Sequence, residues 1–289
     1  MSEHWTNYWK QGFLTSFGGG IKGNYQGKLK RLWLDHSKKI SPGSHVLDIG
    51  TGNGALLDLL QSNHTLDLVG IDRAEINNEI SDSINGVFHS KVSAESMPFE
   101  DDQFDVVIAQ FALEYTDLDF SLSEVFRVLK KNGLFIFVCH NPESIIVKPN
   151  EQILNEAKLI LKNMQSYIYE LSSAMIINDE KSISLKYSMI KDYIENRKRT
   201  HIDAIIGTNL PLFLDFLYSN RNKNIDFVEA ARQFENELQL LVLRLDELVD
   251  ASKKSITLIN QLKLLNKDIE VREVYENGEL IASYVKAIK

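Results

Sequence analysis

A single cysteine, Cys139, stands among 289 residues, so the chain can close no internal disulfide and can build no cysteine metal site. That scarcity fits a reducing compartment and a metal-independent protein. Flanked by apolar residues in a strand pattern, Cys139 reads as an inert buried thiol rather than a nucleophile. Long hydrophobic runs are missing as well. No apolar stretch reaches about 18 residues, and the first residues lack a signal-type apolar core, which predicts a soluble, cytoplasmic protein with no membrane span. Excess positive charge is absent too: the net charge of −8 argues against a general affinity for nucleic acid. Residues 1–45 do carry seven Lys/Arg against two Asp/Glu. Such a run reads first as a solvated face, with contact to an anionic acceptor as the sharper alternative.

With 44% hydrophobic and 25% charged residues, the chain can bury a sizeable core as one large domain or as a domain carrying an insertion. The stretch Val46–Leu57, V-L-D-I-G-T-G-N-G-A-L-L, organises the rest. Four residues read as a buried strand, three alternate glycines turn the backbone, and an apolar run from Ala55 to Leu60 reads as a helix. Glycine suits that turn because it tolerates positive φ and lets a ligand approach the backbone. The register of Gly50, Gly52 and Ala55 also fits a dinucleotide fold.

Downstream, Leu68–Asp72 reads as a second buried strand ending in an acid, about 20 residues past the first glycine, where a carboxylate would accept ribose hydroxyls. Val87–Glu95 reads as a weaker strand, Phe104–Gln110 as a buried strand, Ser121–Lys130 as a helix and Gly133–His140 as another strand. The carboxyl ends of these strands deliver Asp48, Gly50, Asp72, Glu95, Gln110 and His140 to one edge of a parallel sheet, the edge at which ligands bind.

In order and spacing, V-L-D-I-G-T-G-N-G, V-G-I-D, A-E-S-M-P-F-E-D-D-Q-F-D-V-V and E-V-F-R-V-L-K-K-N-G-L-F-I-F-V resemble the successive motifs of class I S-adenosylmethionine-dependent methyltransferases. The resemblance covers about residues 44–142, half the chain. It implies a Rossmann-like, doubly wound, mostly parallel α/β sheet with a terminal antiparallel hairpin, and S-adenosylmethionine as cofactor. It also implies donor contacts from Asp48, Gly50, Thr51, Gly52, Asp72 and Arg73, from Ala94 and Glu95 beside the adenine, and from Gln110 and Phe111 where donor meets acceptor. The N-P-P-Y or D-P-P-Y of base-amino methyltransferases is not there.

Around this core the chain adds three segments. Residues 1–40 form an aromatic, glycine-rich arm followed by an amphipathic helix over Gln26–Lys39. Six aromatic residues among the first 25 are too many for a disordered tail. The arm reads either as cladding or as a lid that hinges on Gly18–Gly20 and Gly23 and brings Tyr8, Trp9, Thr15 or Ser16 to the donor. Residues 146–251 turn helical throughout, over about 151–178, 182–200, 209–219 and a long helix through Phe234, Leu238, Leu241, Leu245 and Leu248. This reads as an inserted cap that leaves the ligand edge after His140, and a homodimer seam along it is an alternative to core packing. The cap is nearly neutral, with 16 Lys/Arg and 17 Asp/Glu in 150–268, and no nucleic-acid platform. Residues 41–145 and 252–289 make up the donor domain, closed by two alternating runs joined at Asn277-Gly278.

Transfer of a methyl group from a sulfonium needs two reactants held in line more than it needs a nucleophile, a metal or a carboxylate pair. A hydroxyl or amine acceptor would still lose a proton, for which His140, Glu114 and Tyr115 are the candidates by position; His140 reads first as a histidine merely satisfied by a loop carbonyl. The expected activity is methylation of a small-molecule oxygen or nitrogen acceptor. The rivals are a donor-binding sensor or scaffold without catalysis and an NAD-dependent oxidoreductase sharing the glycine turn.

Overall fold

The structure is a computed structural model that describes residues 2–16, 23–62, 65–265 and 268–289. In chain order its helices are α1 Ser2–Trp9, α2 Gly27–Ser37, α3 Ala55–Gln61, α4 Asn78–Ser81, α5 Leu118–Val128, α6 Lys148–Asn163, α7 Gln165–Ile176, α8 Glu180–Gly207, α9 Leu210–Ser219 and α10 Phe227–Leu265. The strands are β1 His45–Ile49, β2 Asp67–Asp72, β3 Val87–Ser90, β4 Phe104–Gln110, β5 Leu129–Cys139, β6 Ile269–Glu276 and β7 Glu279–Ile288. By their contacts the residues fall into two compact units, 1–144 with 251–289, and 145–250.

The first unit is built on one seven-stranded sheet in the order β3-β2-β1-β4-β5-β7-β6. β1 pairs in parallel with both β2 and β4, while β7 runs antiparallel between β5 and β6. The fold is therefore Rossmann-like, doubly wound and mostly parallel. Central strands of such a sheet are covered on both faces, so they read as continuous apolar runs: in β4 all residues but Asp105 are buried. The order reverses between β1 and β4, and their carboxyl ends leave a crevice there. Asn277 and Gly278 close the β6–β7 hairpin with φ of 52° and 85°, the pair of positive values a tight type I′ turn needs.

Several elements differ from the sequence expectation. β5 begins at Leu129, four residues earlier than Gly133, because α5 ends at Val128 rather than at Lys130. The chain resumes extended pairing with Phe104 before the register shift between Phe104 and Val106. Residues Ser2–Trp9 are helical, where only an arm was expected. Among the described residues, no helix is long and apolar enough to cross a membrane.

The second unit is helical and has its own core, in which Ile160, Leu171, Ile190, Ile205, Leu210, Leu217 and Phe227 are all buried. Where the sequence suggested one helix over 151–178, the chain breaks at Met164 into α6 and α7. α8 extends past residue 200 across a kink, with His201 at φ −146° and ψ 57°. Pro211 lies in the first turn of α9, where its missing N–H is unneeded. At the centre of this unit lies a buried acid, Glu156, only 1% exposed. It accepts from Tyr193 Oη and Arg197 Nε, each at 2.7 Å, so the charge is compensated. Arg197→Ala should strand that carboxylate and destabilise the protein by about 3 kcal/mol, the low end for a broken buried pair. Urea denaturation monitors it, and a loss below about 1 kcal/mol would put the pair in the surface class.

Candidate active site

A cavity with about 1010 Å³ of empty space, mouth included, opens at the carboxyl ends of β1, β2 and β4 in the first unit. Its floor is Ile49, Gly50 and Thr51 from the end of β1 and the turn after it, Ile71 and Asp72 from the end of β2, and Gln110 from the end of β4. Arg73, Ala74, Val92, Ser93 and Ala94 form one side; Phe111, Ala112, Tyr115 and Thr116 form another. Trp5, Trp9, Leu14 and Ser16 of the arm, with Tyr25, complete the wall.

The glycine turn is sterically demanded. Gly50 has φ of 71°, and a Cβ there would come within 2.3 Å of the Ala112 Cβ, so no side chain fits between β1 and the segment after β4. Gly52 has φ of 54°, and a Cβ would strike the Trp9 indole at 2.5 Å. The space above Gly52 thus belongs to the arm, which corrects the reading of that glycine as one leaving room for ligand alone. Asp72 closes the turn: Oδ2 accepts from Gly52 N and Oδ1 from Ala74 N, both at 2.8 Å. Each carboxylate oxygen retains a second lone pair for a further donor. Burial pushes the Asp72 pKa up, against the lowering effect of those two N–H groups.

Beneath the floor lies Asp48, 1% exposed, with no hydrogen-bond partner on either oxygen. Burial pushes its pKa up to about 8, eased by Thr51 and reinforced by Asp72. The Thr51 hydroxyl and the Gln110 Nε2 also make no hydrogen bond of ordinary geometry, although each lies close enough to an acidic group, Thr51 to Asp48 and Gln110 to the Tyr25 hydroxyl, to lower that group's pKa. Buried polar atoms without partners are rare in folded proteins, and here they gather at the sheet's switch point. That is the pattern of a site built for a polar ligand.

Of the residues expected to touch the donor, Gly50, Thr51, Asp72, Arg73, Ala94, Gln110, Phe111 and Trp9 form the wall. The others lie elsewhere. Glu95 is drawn into the loop, accepting from Asp117 N at 2.8 Å and from Ser93 Oγ at 3.3 Å. Tyr8 donates to the Thr15 carbonyl at 2.8 Å, which shapes the arm and places neither residue on the wall. Of the three base candidates only Tyr115 is on the wall. His140 stacks behind Phe111, ring centroids 4.4 Å apart; desolvation lowers its pKa to about 4, so it is neutral at pH 7. Glu114, 1% exposed, accepts the His140 backbone N–H at 2.9 Å, and burial raises its pKa to about 7. Both act in support of the wall: Phe111, held at φ of 52°, is a strained conformation for a residue with a Cβ.

Sequence reasoning passed over Asn53, which is fully buried. Its Nδ2 donates to the carbonyls of Trp9 and Phe13 at 3.1 and 2.7 Å, and its Oδ1 accepts from Asn77 N at 2.9 Å. One amide therefore ties arm, glycine turn and α4 together. The bond from Glu75 N to Thr6 Oγ1 at 3.0 Å and the seat of the Trp9 indole against Gly52 add to the docking. The only available signal was an Asn placed between two turn glycines, a position usually read as turn chemistry alone. The proposed Gly18–Gly20 hinge lies outside the described residues.

Residues 47–137 match the family model described as methyltransferase domain. That match spans about a third of the chain and covers β1 to β5 of the sheet. The ubiquinone/menaquinone biosynthesis C-methyltransferase of Vibrio parahaemolyticus is 27% identical over 54% of this chain and 68% of its own length. An uncharacterised protein of Methanocaldococcus jannaschii is 29% identical over 65% of this chain and 74% of its own. Among solved structures, a geranyl diphosphate methyltransferase in complex with GPP and sinefungin matches at 20% identity and a TM-score of 0.36, over 39% of this chain and 46% of that one. The [4+2]-cyclase SpnF matches at 21% and 0.38, over 47% and 56%. The chain thus spans about half the length of these two structures.

Two outcomes follow. Asn53→Ala leaves three backbone groups without their partner, and we expect faster amide exchange across residues 5–16 with the sheet strands unaffected; unchanged exchange there would remove Asn53 as the anchor. Glu114 holds a proton in the fold up to about pH 7 against an ordinary 4.5. Its contribution is complete below about 4.5 and is lost as pH rises through 7, about 3 kcal/mol in all. Glu114→Gln keeps the acceptor for His140 N and should flatten that part of the stability profile, as followed by urea unfolding from pH 4.5 to 8. A decline as steep as the wild type's would assign it to other groups, Asp48 first.

Proposed function

We propose that the protein is a methyltransferase that carries a methyl group from S-adenosylmethionine to a small molecule held in the cavity over β1, β2 and β4. The observation that carries the reading is Asp72: it ends β2 on the cavity wall, and two backbone N–H groups fix it while leaving acceptor capacity for a pair of ribose hydroxyls. The Thr51 hydroxyl on the cavity wall, buried and without a hydrogen bond of ordinary geometry, fits the polar end of such a donor. S-adenosylmethionine, when bound, supplies an electrophilic methyl group and leaves as a neutral thioether.

The chain's own contribution is then to orient and to exclude water. Trp5, Trp9 and Phe111 bring large apolar faces to the wall, and a dry, shaped site strengthens the few polar contacts within it. Among the described residues Arg73 is the one basic side chain on that wall, which favours a small molecule over a nucleic-acid acceptor. With His140 and Glu114 behind the wall, Tyr115 is the remaining group for handling an acceptor proton. An oxygen or nitrogen acceptor remains our reading. Carbon is the second, because the Vibrio relative bears the name of a C-methyltransferase.

Trp5 and Trp9 provide a direct reporter. Their fluorescence should respond to S-adenosylhomocysteine, and Asp72→Ala should weaken that binding by about 1.5–3 kcal/mol, the range for a hydrogen bond to a charged group. Equal affinity in the variant would sink the role given to Asp72. Labelled methyl transfer, screened over hydroxyl, amine and activated-carbon acceptors, then identifies the acceptor atom; donor binding without turnover on any of them would favour a sensor.

A further inference from the structure

Gln110 ends β4 on the cavity wall and is 7% exposed. Behind it stands Trp33 of α2, fully buried, whose Nε1–H donates to Gln110 Oε1 at 2.7 Å. An indole nitrogen can only donate. The amide therefore has one tenable orientation: its carbonyl is spent on Trp33, and the opposite flip would set two donors against each other in a buried place. What Gln110 has left is Nε2, a buried donor that makes no hydrogen bond of ordinary geometry; the Tyr25 hydroxyl lies within reach of one of its two N–H groups, which leaves the other for a ligand. Tyr25, wedged among Ser16, Gln110 and Asp48, lies on the same stretch of wall.

We infer that Trp33 is a positioning residue that fixes Gln110 as a hydrogen-bond donor, and that the ligand group seated at the end of β4 is an oxygen acceptor, a carboxylate or carbonyl, rather than an N–H. The inference rests on the cavity being the methyl-transfer site. A side-chain amide could in principle serve either an N–H or an oxygen at this position; here the choice is made two elements away, by an indole in the core. Two molecules could bring that oxygen, the methyl donor through its amino-acid carboxylate or the acceptor substrate through its own.

The test replaces only the donor. Gln110→Glu keeps an oxygen for Trp33 and puts a second oxygen where Nε2 was. S-adenosylhomocysteine, which carries the carboxylate, should bind at least tenfold more weakly by calorimetry, while 5′-methylthioadenosine, which lacks the amino-acid end, keeps its affinity. That outcome names the methyl donor as the source. Unchanged binding of both probes, with a tenfold rise in KM for an oxygen-bearing acceptor from the turnover screen, names the acceptor. Trp33→Phe should cost several-fold in the same quantity and add nothing on the Gln110→Glu background, whereas a merely structural tryptophan would add its loss in full. Wild-type-like binding and KM in Gln110→Glu would overturn the inference. The Trp33 indole N–H provides a readout without ligand: it should exchange slowly in the wild type and faster in Gln110→Leu. Equal exchange would overturn the Trp33–Gln110 bond itself, and failure of the wild type to bind S-adenosylhomocysteine would instead overturn the methyl-transfer reading and this inference with it.

Discussion

The carboxylate of Asp72 is the constraint on which the site depends. By accepting from Gly52 N and Ala74 N, one side chain locks the turn after β1 to the end of β2. Positive φ at Gly50 and Gly52 makes that turn possible, and contact with Ala112 and Trp9 makes any larger residue impossible at either place. Strand, turn and helix N-terminus are thereby held rigid at the switch point, where a parallel sheet leaves its crevice. The burial of acid needed for this is costly, and it shows in the raised pKa of both Asp72 and Asp48. Buried acids shifted this way mark functional sites more often than structural ones.

Onto this floor the chain docks a cover. Among the described residues the arm is held by the Asn53 amide, by the bond from Glu75 N to Thr6 Oγ1 and by the Trp9 indole against Gly52. On the opposite side the wall is stiff: Phe111 is trapped at positive φ between the cavity and the His140 ring, and Glu114 pins the backbone behind it. Polar groups that resemble catalytic machinery in the sequence thus act as buttresses in the fold.

The floor was legible in the sequence because its determinants are local. Glycine at alternate positions, an acid after the second apolar run and continuous apolar strands each follow from backbone sterics and burial over a few residues. The Asn277-Gly278 hairpin was legible for the same reason. What escaped was long-range. No pattern around Asn53 says that its amide reaches back to residues 9 and 13, and none around Trp33 says that it faces a glutamine at position 110. His140 and Glu114 were drawn toward chemistry because their strand-end positions are right; only packing reveals that Phe111 stands in front. The β5 boundary slipped because Leu129 pairs with Phe104 across a register shift, which helix periodicity cannot register.

The most direct test of the account is a crystal structure of the protein with S-adenosylhomocysteine. The ligand should lie in the cavity at the carboxyl ends of β1, β2 and β4, with both ribose hydroxyls within hydrogen-bond distance of the Asp72 carboxylate. A ligand bound elsewhere, or one whose ribose leaves Asp72 bonded only to Gly52 and Ala74, would contradict it.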